Sequence, residues 1–524
     1  MLGSGNGADD GPDWDERARA CLDSGQAGVV WRRVIADCET PVSAALKLMV
    51  EGRGDFLLES VEGGETRGRY SLVGIDPDLV FRASGNTAWV NAQWQQDADA
   101  FEVASGDPLQ SLRALAAQCR YDVPDPLPPA LSSLVGYLGY ETIGLVEKIE
   151  RPEANPLELP DMLFVRPTLV LVFDSLKADM FCIAPLWPGS GNTASALVAD
   201  AAERIDSCLA RLGGTLVRDA VAGMACAPLA DGSLPEPLPD PFATPCLPSG
   251  EYHRMVDRAK DYILAGDIFQ VVLAQRFTAP FPLPPLSLYR ALRRINPSPF
   301  LYFLDLPGFS LIGSSPEILV RVRDGEVTIR PIAGTRPRGR TPAADEVNRA
   351  SLLADPKERA EHLMLLDLGR NDTGRVAAAG SVRVTDSYSV EKYSHVMHIV
   401  SNVTGTLRSG LDAVDALLAG FPAGTVSGAP KVRACQIIAE LENETRGAYA
   451  GGVGYFAPDG SVDSCIVLRT AVVKDGVMHV QSGAGIVADS TPEYEQQECE
   501  AKAGALFAAA REAVRLASLT GFGQ

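Results

Sequence analysis

Short apolar blocks outnumber helical stripes along this 524-residue chain. In the first half, Phe56-Leu57-Leu58 and the runs from Arg69 to Val73, Ser133 to Tyr137 and Thr168 to Phe173 read as strands. One amphipathic helix stands with them: Leu197, Ala201, Ile205, Cys208, Leu209 and Leu212 fall at the spacing of a single helix face. The second half opens with a helical pattern from Glu251 to Ala265, stopped by Gly266. Strand-like runs follow at Phe269 to Ala274, Phe300 to Leu304, Glu317 to Val322, Val327 to Pro331, His395 to Val403, Cys465 to Val473 and Val477 to Gln481. Two more helices are marked by their ends. Asp355 as N-cap, Pro356 at the first helical position and Glu358 as capping-box partner predict a helix to about Leu368; Pro492 opens another to about Val514. Strands and helices do not alternate one for one. The pattern predicts an α+β fold, a two-domain sandwich of large, mostly antiparallel sheets flanked by helices.

The stretch 213–250 breaks this pattern. It carries Pro228, Pro235, Pro237, Pro239, Pro241, Pro245 and Pro248, which forbid regular helix and weaken strand pairing. It predicts a linker between an N-terminal domain over 16–212 and a C-terminal domain over 251–520. Residues 1–15, rich in Gly and Asp, predict a disordered tail without the basic and apolar segments of a signal peptide.

Charge narrows the class of partner. With 47 Lys plus Arg against 67 Asp plus Glu, the net charge is -20. So large an acidic excess excludes nucleic acid and anionic membrane as main partners, since both need basic patches. No run reaches the ~18 apolar residues of a membrane helix. The ten cysteines are scattered without a CxxC pair, so reduced thiols and a cytoplasmic location are expected.

Candidate chemistry lies in the second half. Gly483-Ala484-Gly485-Ile486-Val487-Ala488 matches a dinucleotide fingerprint, but Pro492 leaves no room for the required βαβ unit. Its glycines are expected instead to expose backbone N–H groups to an anion. Gly424 to Lys431 is a poor P-loop, with the wrong spacing and an intruding proline. Glu495, Glu498 and Lys502 share one helix face, and Glu361 lies on another helix. Each glutamate alone is compatible with a solvated surface, yet carboxylates on two helices are also the kind of set that holds Mg²⁺. His398 is either a core histidine or a functional one, as it shares a strand face with Val396 and Val400. Arg469 interrupts an apolar strand and needs an anion, structural or ligand. The residues alone thus point to a small-anion site assisted by Mg²⁺.

Four long segments in order carry a resemblance: Arg330 to Gly339, Glu361 to Asp372, Gly424 to Lys431, and Gln481 to Ser490. Together they resemble the chorismate-utilising enzymes, and within them the large subunits (component I) of anthranilate synthases, over about Val29 to Leu516. Ala333 stands where aminodeoxychorismate-forming members usually carry a nucleophilic Lys. Gln270 stands where water-using members carry a Lys base. The resemblance therefore implies ammonia as nucleophile and anthranilate plus pyruvate as products.

It also implies roles. Mg²⁺ would be held by Glu361 and Glu498, with Glu495 and Lys502 as neighbours. Chorismate would be bound by Tyr449, Arg469, Gly334, Thr335 and the segment Gly483-Ala484-Gly485. Glu317, in Ser315-Pro316-Glu317, would protonate the departing hydroxyl, for which its pKa must be raised. His398, with Thr425 nearby, would transfer the proton in the elimination. Ser60 and Pro299-Phe300-Leu301 would line an L-tryptophan feedback pocket in a regulatory N-terminal domain. No GxCxGxQ glutaminase signature is present, so a glutamine amidotransferase small subunit would supply ammonia in a hetero-oligomer. Two other readings remain: a synthase stopping at aminodeoxychorismate or aminodeoxyisochorismate, and a non-catalytic tryptophan-binding sensor.

Overall fold

The structure is a computed structural model that describes residues 14–60, 68–189, 192–215, 241–393 and 396–517. The expected tail, but for a helix beginning at Trp14, and most of the Pro-rich stretch lie outside the described residues. The rest is an α+β fold: a large antiparallel sheet network with helices on its flanks. Strands from before and after the Pro-rich stretch pair directly. Asp55–Glu59 runs against Phe300–Leu306, and Leu134–Leu138 against Gly452–Phe456. One apolar cluster accordingly mixes Phe56, Tyr137, Tyr302 and Val453.

The strand runs form with modest changes of boundary, and two departures matter for the site. The helix after Asp355 does not stop near Leu368 but runs Pro356–Val376. Gly369 fits inside it because its bare face packs near Ile329 and Pro331, so tertiary burial outweighs glycine's low propensity. Asp355 caps it as expected, accepting from Lys357 and Glu358 N–H groups; the Glu358 side chain instead pairs with Arg336 at 2.7 Å. The apolar run from Cys465 to Val473 is two strands, Val462–Ile466 and Thr470–Lys474. Between them Arg469 takes a left-handed conformation, φ 49°.

Candidate active site

Glu317 sits where Pro316 ends one strand, Phe309–Ser315, and the next, Ile318–Arg323, begins. It is buried. Burial pushes its carboxyl up to about 8, against the opposing hydrogen bonds of Thr425 and Ile332 and the charge of Arg469. The Thr425 hydroxyl donates to Glu317 Oε2 at 3.1 Å. A carboxyl held neutral at pH 7 can donate a proton.

His398 owes its setting to a β-bulge. Ile332–Pro337 pairs with Val396–Thr406, and the register slips between Ala333 and Thr335, leaving Gly334 as the extra residue at φ 75°. Gly334 O lies 3.0 Å from His398 Nδ1, and Thr335 Oγ1 lies 3.1 Å from it. A carbonyl only accepts, so Nδ1 carries the proton and Nε2 keeps the basic lone pair. Burial lowers the ring to about 4, which keeps it neutral at physiological pH. The hydroxyl beside His398 is therefore that of Thr335; Thr425, expected with the histidine, belongs to Glu317.

Arg469 lies close enough to both groups to act on them electrostatically. Its guanidinium is deeply placed, and burial pulls its pKa down while Tyr393 and Glu317 push it up. Among the described residues no carboxylate hydrogen-bonds it. A partly buried guanidinium with no hydrogen-bonded carboxylate has N–H groups free to take an anion.

Gly483 and Gly485 do not form a nest. They lie within the strand Val477–Ile486, opposite Ala274 and Val272 of the strand Gln270–Pro280. Alternating with Ala484, they leave one face bare. A Cβ on Gly483 would lie 2.8 Å from the Tyr449 hydroxyl, and one on Gly485 would lie 2.5 Å from Gln270 Nε2. The glycines make room for Tyr449, which is buried, and for Gln270. Lys502 Nζ donates to Gly483 O at 2.8 Å and pairs with Glu498 at 2.7 Å.

The carboxylates converge from two helices, Pro356–Val376 and Pro492–Ala517. Burial raises the Glu361 pKa, as do Glu358 on its own helix and Glu498 on the other, against Lys357 and Lys502. Glu495 is raised by burial and by Glu498, against its hydrogen bond to Ser490. Each helix therefore presents a Glu-x-x-Glu pair, Glu358/Glu361 and Glu495/Glu498. Glu358 was missed as a site residue because its cap position explained it already, yet a Cβ on Gly334 would meet its Oε2 at 3.1 Å. The repeated spacing was the available signal. Mutually repelling hard-oxygen donors fit Mg²⁺. Among the described residues no three metal-binding side chains converge tightly enough to enclose an ion, so water and substrate oxygens would have to complete the shell.

Of the expected feedback residues, Leu301 pairs with Glu59, the neighbour of Ser60, and Ser60 Oγ accepts from Gly68 N–H at 3.0 Å. Ser298 donates to Ser315 O, two residues from Glu317. Residues 61–67 lie outside the described ones.

A sequence profile of the family described as chorismate binding enzyme matches residues 54–508. The chain belongs to that family. It is 52% identical over 500 residues to anthranilate synthase component 1 of Cereibacter sphaeroides, covering 95% of this chain and 98% of the relative. Identity to anthranilate synthase component 1 of Pseudomonas putida is 46% over 482 residues, 91% of this chain and 93% of that one. The crystal structure of anthranilate synthase component I from Streptococcus pneumoniae superposes with a TM-score of 0.72 at 34% identity, covering 91% of this chain and 99% of that one. Membership gives the chain its ligand class, chorismate, which carries two carboxylates.

Proposed function

We propose that this chain is the large subunit of an anthranilate synthase, converting chorismate and ammonia to anthranilate and pyruvate. The observation that carries the reading is that Arg469 acts on two buried groups, a carboxyl held protonated and donated to by Thr425, and an imidazole held neutral at the Gly334 bulge. An acid and a base poised in those states suit a reaction that first expels a hydroxyl and then removes a proton.

Ammonia attacks C2 of the ring, the double bonds shift, and the C4 hydroxyl leaves as water with the proton of Glu317. The resulting aminodeoxyisochorismate loses its C2 proton to His398 Nε2 as the bond from the ring to the enolpyruvyl oxygen breaks, leaving an aromatic ring; the enolpyruvate released takes up a proton at its methylene carbon to become pyruvate. Thr335 and Gly334 hold the imidazole in the tautomer with Nε2 bare. Tyr449 and Arg469 hold the enolpyruvyl carboxylate. Glu361 and Glu498 would hold Mg²⁺, which when bound neutralises the ring carboxylate. Ala333 and Gln270 offer no lysine nucleophile or water-activating base, which favours this reaction over aminodeoxychorismate or isochorismate formation.

A glutaminase subunit would supply the ammonia, and L-tryptophan at Ser60 and Pro299-Phe300-Leu301 would inhibit, in a cytoplasmic hetero-oligomer. The bond from Ser298 to Ser315 offers that pocket a short mechanical path to Glu317. The test is the purified chain with chorismate, ammonium and Mg²⁺. Anthranilate fluorescence should rise with one pyruvate per anthranilate, stop with EDTA and fall with L-tryptophan; amino intermediate without pyruvate would point to a synthase that stops early.

Arg469→Met should raise the KM for chorismate by roughly ten- to a hundredfold, the worth of a charge-assisted hydrogen bond. Steady-state titration with chorismate measures this; an unchanged KM would remove Arg469 from the carboxylate site.

A further inference from the structure

Arg446 is fully buried, with 1% of its side chain exposed, and the reaction above gives it no part. Its guanidinium bridges two backbone carbonyls and a side-chain carboxylate. Nη1 donates to Val426 O at 2.7 Å, Nη2 to Val272 O at 2.7 Å, and Nε to Glu442 Oε2 at 2.8 Å. Glu442 in turn accepts the Ala274 N–H at 2.9 Å. The guanidinium carbon stands 5.5 Å from the centre of the Tyr449 ring and 4.7 Å from that of Tyr140. Glu141 fixes the loop beneath it, accepting from the N–H groups of Arg446 and Gly447 at 2.7 and 3.1 Å.

Three of its neighbours lead to the site directly. Val426 follows Thr425, whose hydroxyl donates to Glu317. Val272 is the register partner of Gly485. Tyr449 fills the space left by Gly483. A buried ion pair is an expensive way to fill a core, and apolar side chains of similar volume are often as stable or more so. What an apolar replacement cannot do is hold two carbonyls and an aromatic ring at fixed distances. The planar guanidinium, with its diverging N–H groups, does so, whereas a lysine offers only a compact point charge.

We propose that Arg446 is a positioning residue for this site: it holds the Val426 carbonyl so that the Thr425 hydroxyl stays on Glu317, and sets the Tyr449 ring against Gly483. It touches neither substrate nor reacting atoms. The inference rests on the proposed acid role of Glu317.

The test compares wild type, Arg446→Lys, Thr425→Val and the double variant. The reading is kcat/KM for chorismate against pH, with unprotonated ammonia held constant. The Thr425 hydrogen bond lowers the Glu317 pKa, so losing it should move the alkaline limb upward from about 8. Arg446→Lys should move the limb the same way and lower kcat/KM by roughly ten- to a hundredfold. In the double variant the Arg446 replacement should move the limb no further. Thermal unfolding runs alongside. If Arg446→Lys lowers the melting temperature and the activity but leaves the limb at its wild-type position, Arg446 is structural only and the proposal fails. Should Arg446→Lys not fold, Arg446→Met with Glu442→Gln removes the charge pair together and carries the same reading. Wild type without chorismate-dependent activity, or without an alkaline limb near 8, would instead overturn the reading of the reaction or of its acid.

Discussion

Glu317→Gln is expected to lower kcat by about a hundredfold to ten-thousandfold, the usual worth of a general acid, with little change in the KM for chorismate. The amide keeps the shape of the protonated carboxyl and can accept from Thr425, but has no proton to give to a departing hydroxyl. In wild type the active form is the protonated one. Activity should therefore be sustained through neutral pH and fall on the alkaline side as Glu317 ionises at about 8. That limb should vanish in the variant's residual rate. It is measured as initial anthranilate fluorescence from pH 6 to 10, with unprotonated ammonia held constant.

The same carboxyl makes a stability prediction of opposite sense. Its folded-state value lies above the ~4.3 of an exposed glutamate. Between those two values the native state holds the proton more tightly than the unfolded chain. The stability this gives is complete below the unfolded value and is lost as pH rises through about 8. Removing the group removes the loss, so Glu317→Gln should gain on wild type with rising pH, by at most about 1.4 kcal/mol per unit. An inactive variant that melts later than wild type at pH 8.5 would show that the site holds its acid at a cost in stability. A variant that melts earlier at every pH would mean the Glu317 carboxyl is needed to hold its surroundings.

The chain announces some of this and hides the rest, for physical reasons. Strand runs such as Phe300 to Leu304 are legible because period and composition agree, and the pairing with Asp55–Glu59 extends them only slightly. The break at Arg469 is hidden, since the flanking residues are as apolar as a strand interior and the left-handed turn rests on a non-glycine residue. The bulge at Gly334 is half legible: the glycine can be seen, but not that a register slip would aim its carbonyl at a histidine 64 residues on. Local spacing placed Glu495, Glu498 and Lys502 on one face, and they do share it. Glu358 was assigned to a cap that the helix fills with Asp355 alone. Arg446 gave no signal at all, because its role lies in which carbonyls surround it, and those come from residues 20 and 174 positions away.

His398→Met should separate the two halves of the reaction. The first step needs Glu317, ammonia and the anion anchors, none of which the imidazole supplies. Chorismate consumption should therefore continue, while anthranilate and pyruvate formation fall by about a hundredfold or more. The amino intermediate should accumulate, identified by chromatography and by a mass reflecting exchange of a hydroxyl for an amino group. Methionine suits the test because it fills the pocket between Tyr393 and the bulge without offering a base. The low ring value, about 4, adds a condition on wild type. The base is lost to protonation only near that pH, so the elimination should show no acid limb between pH 5.5 and 7. An unperturbed histidine would give one near 6.5. Pyruvate release by the variant at the wild-type rate would mean another group removes the C2 proton. The bulge at Gly334 would then serve the fold.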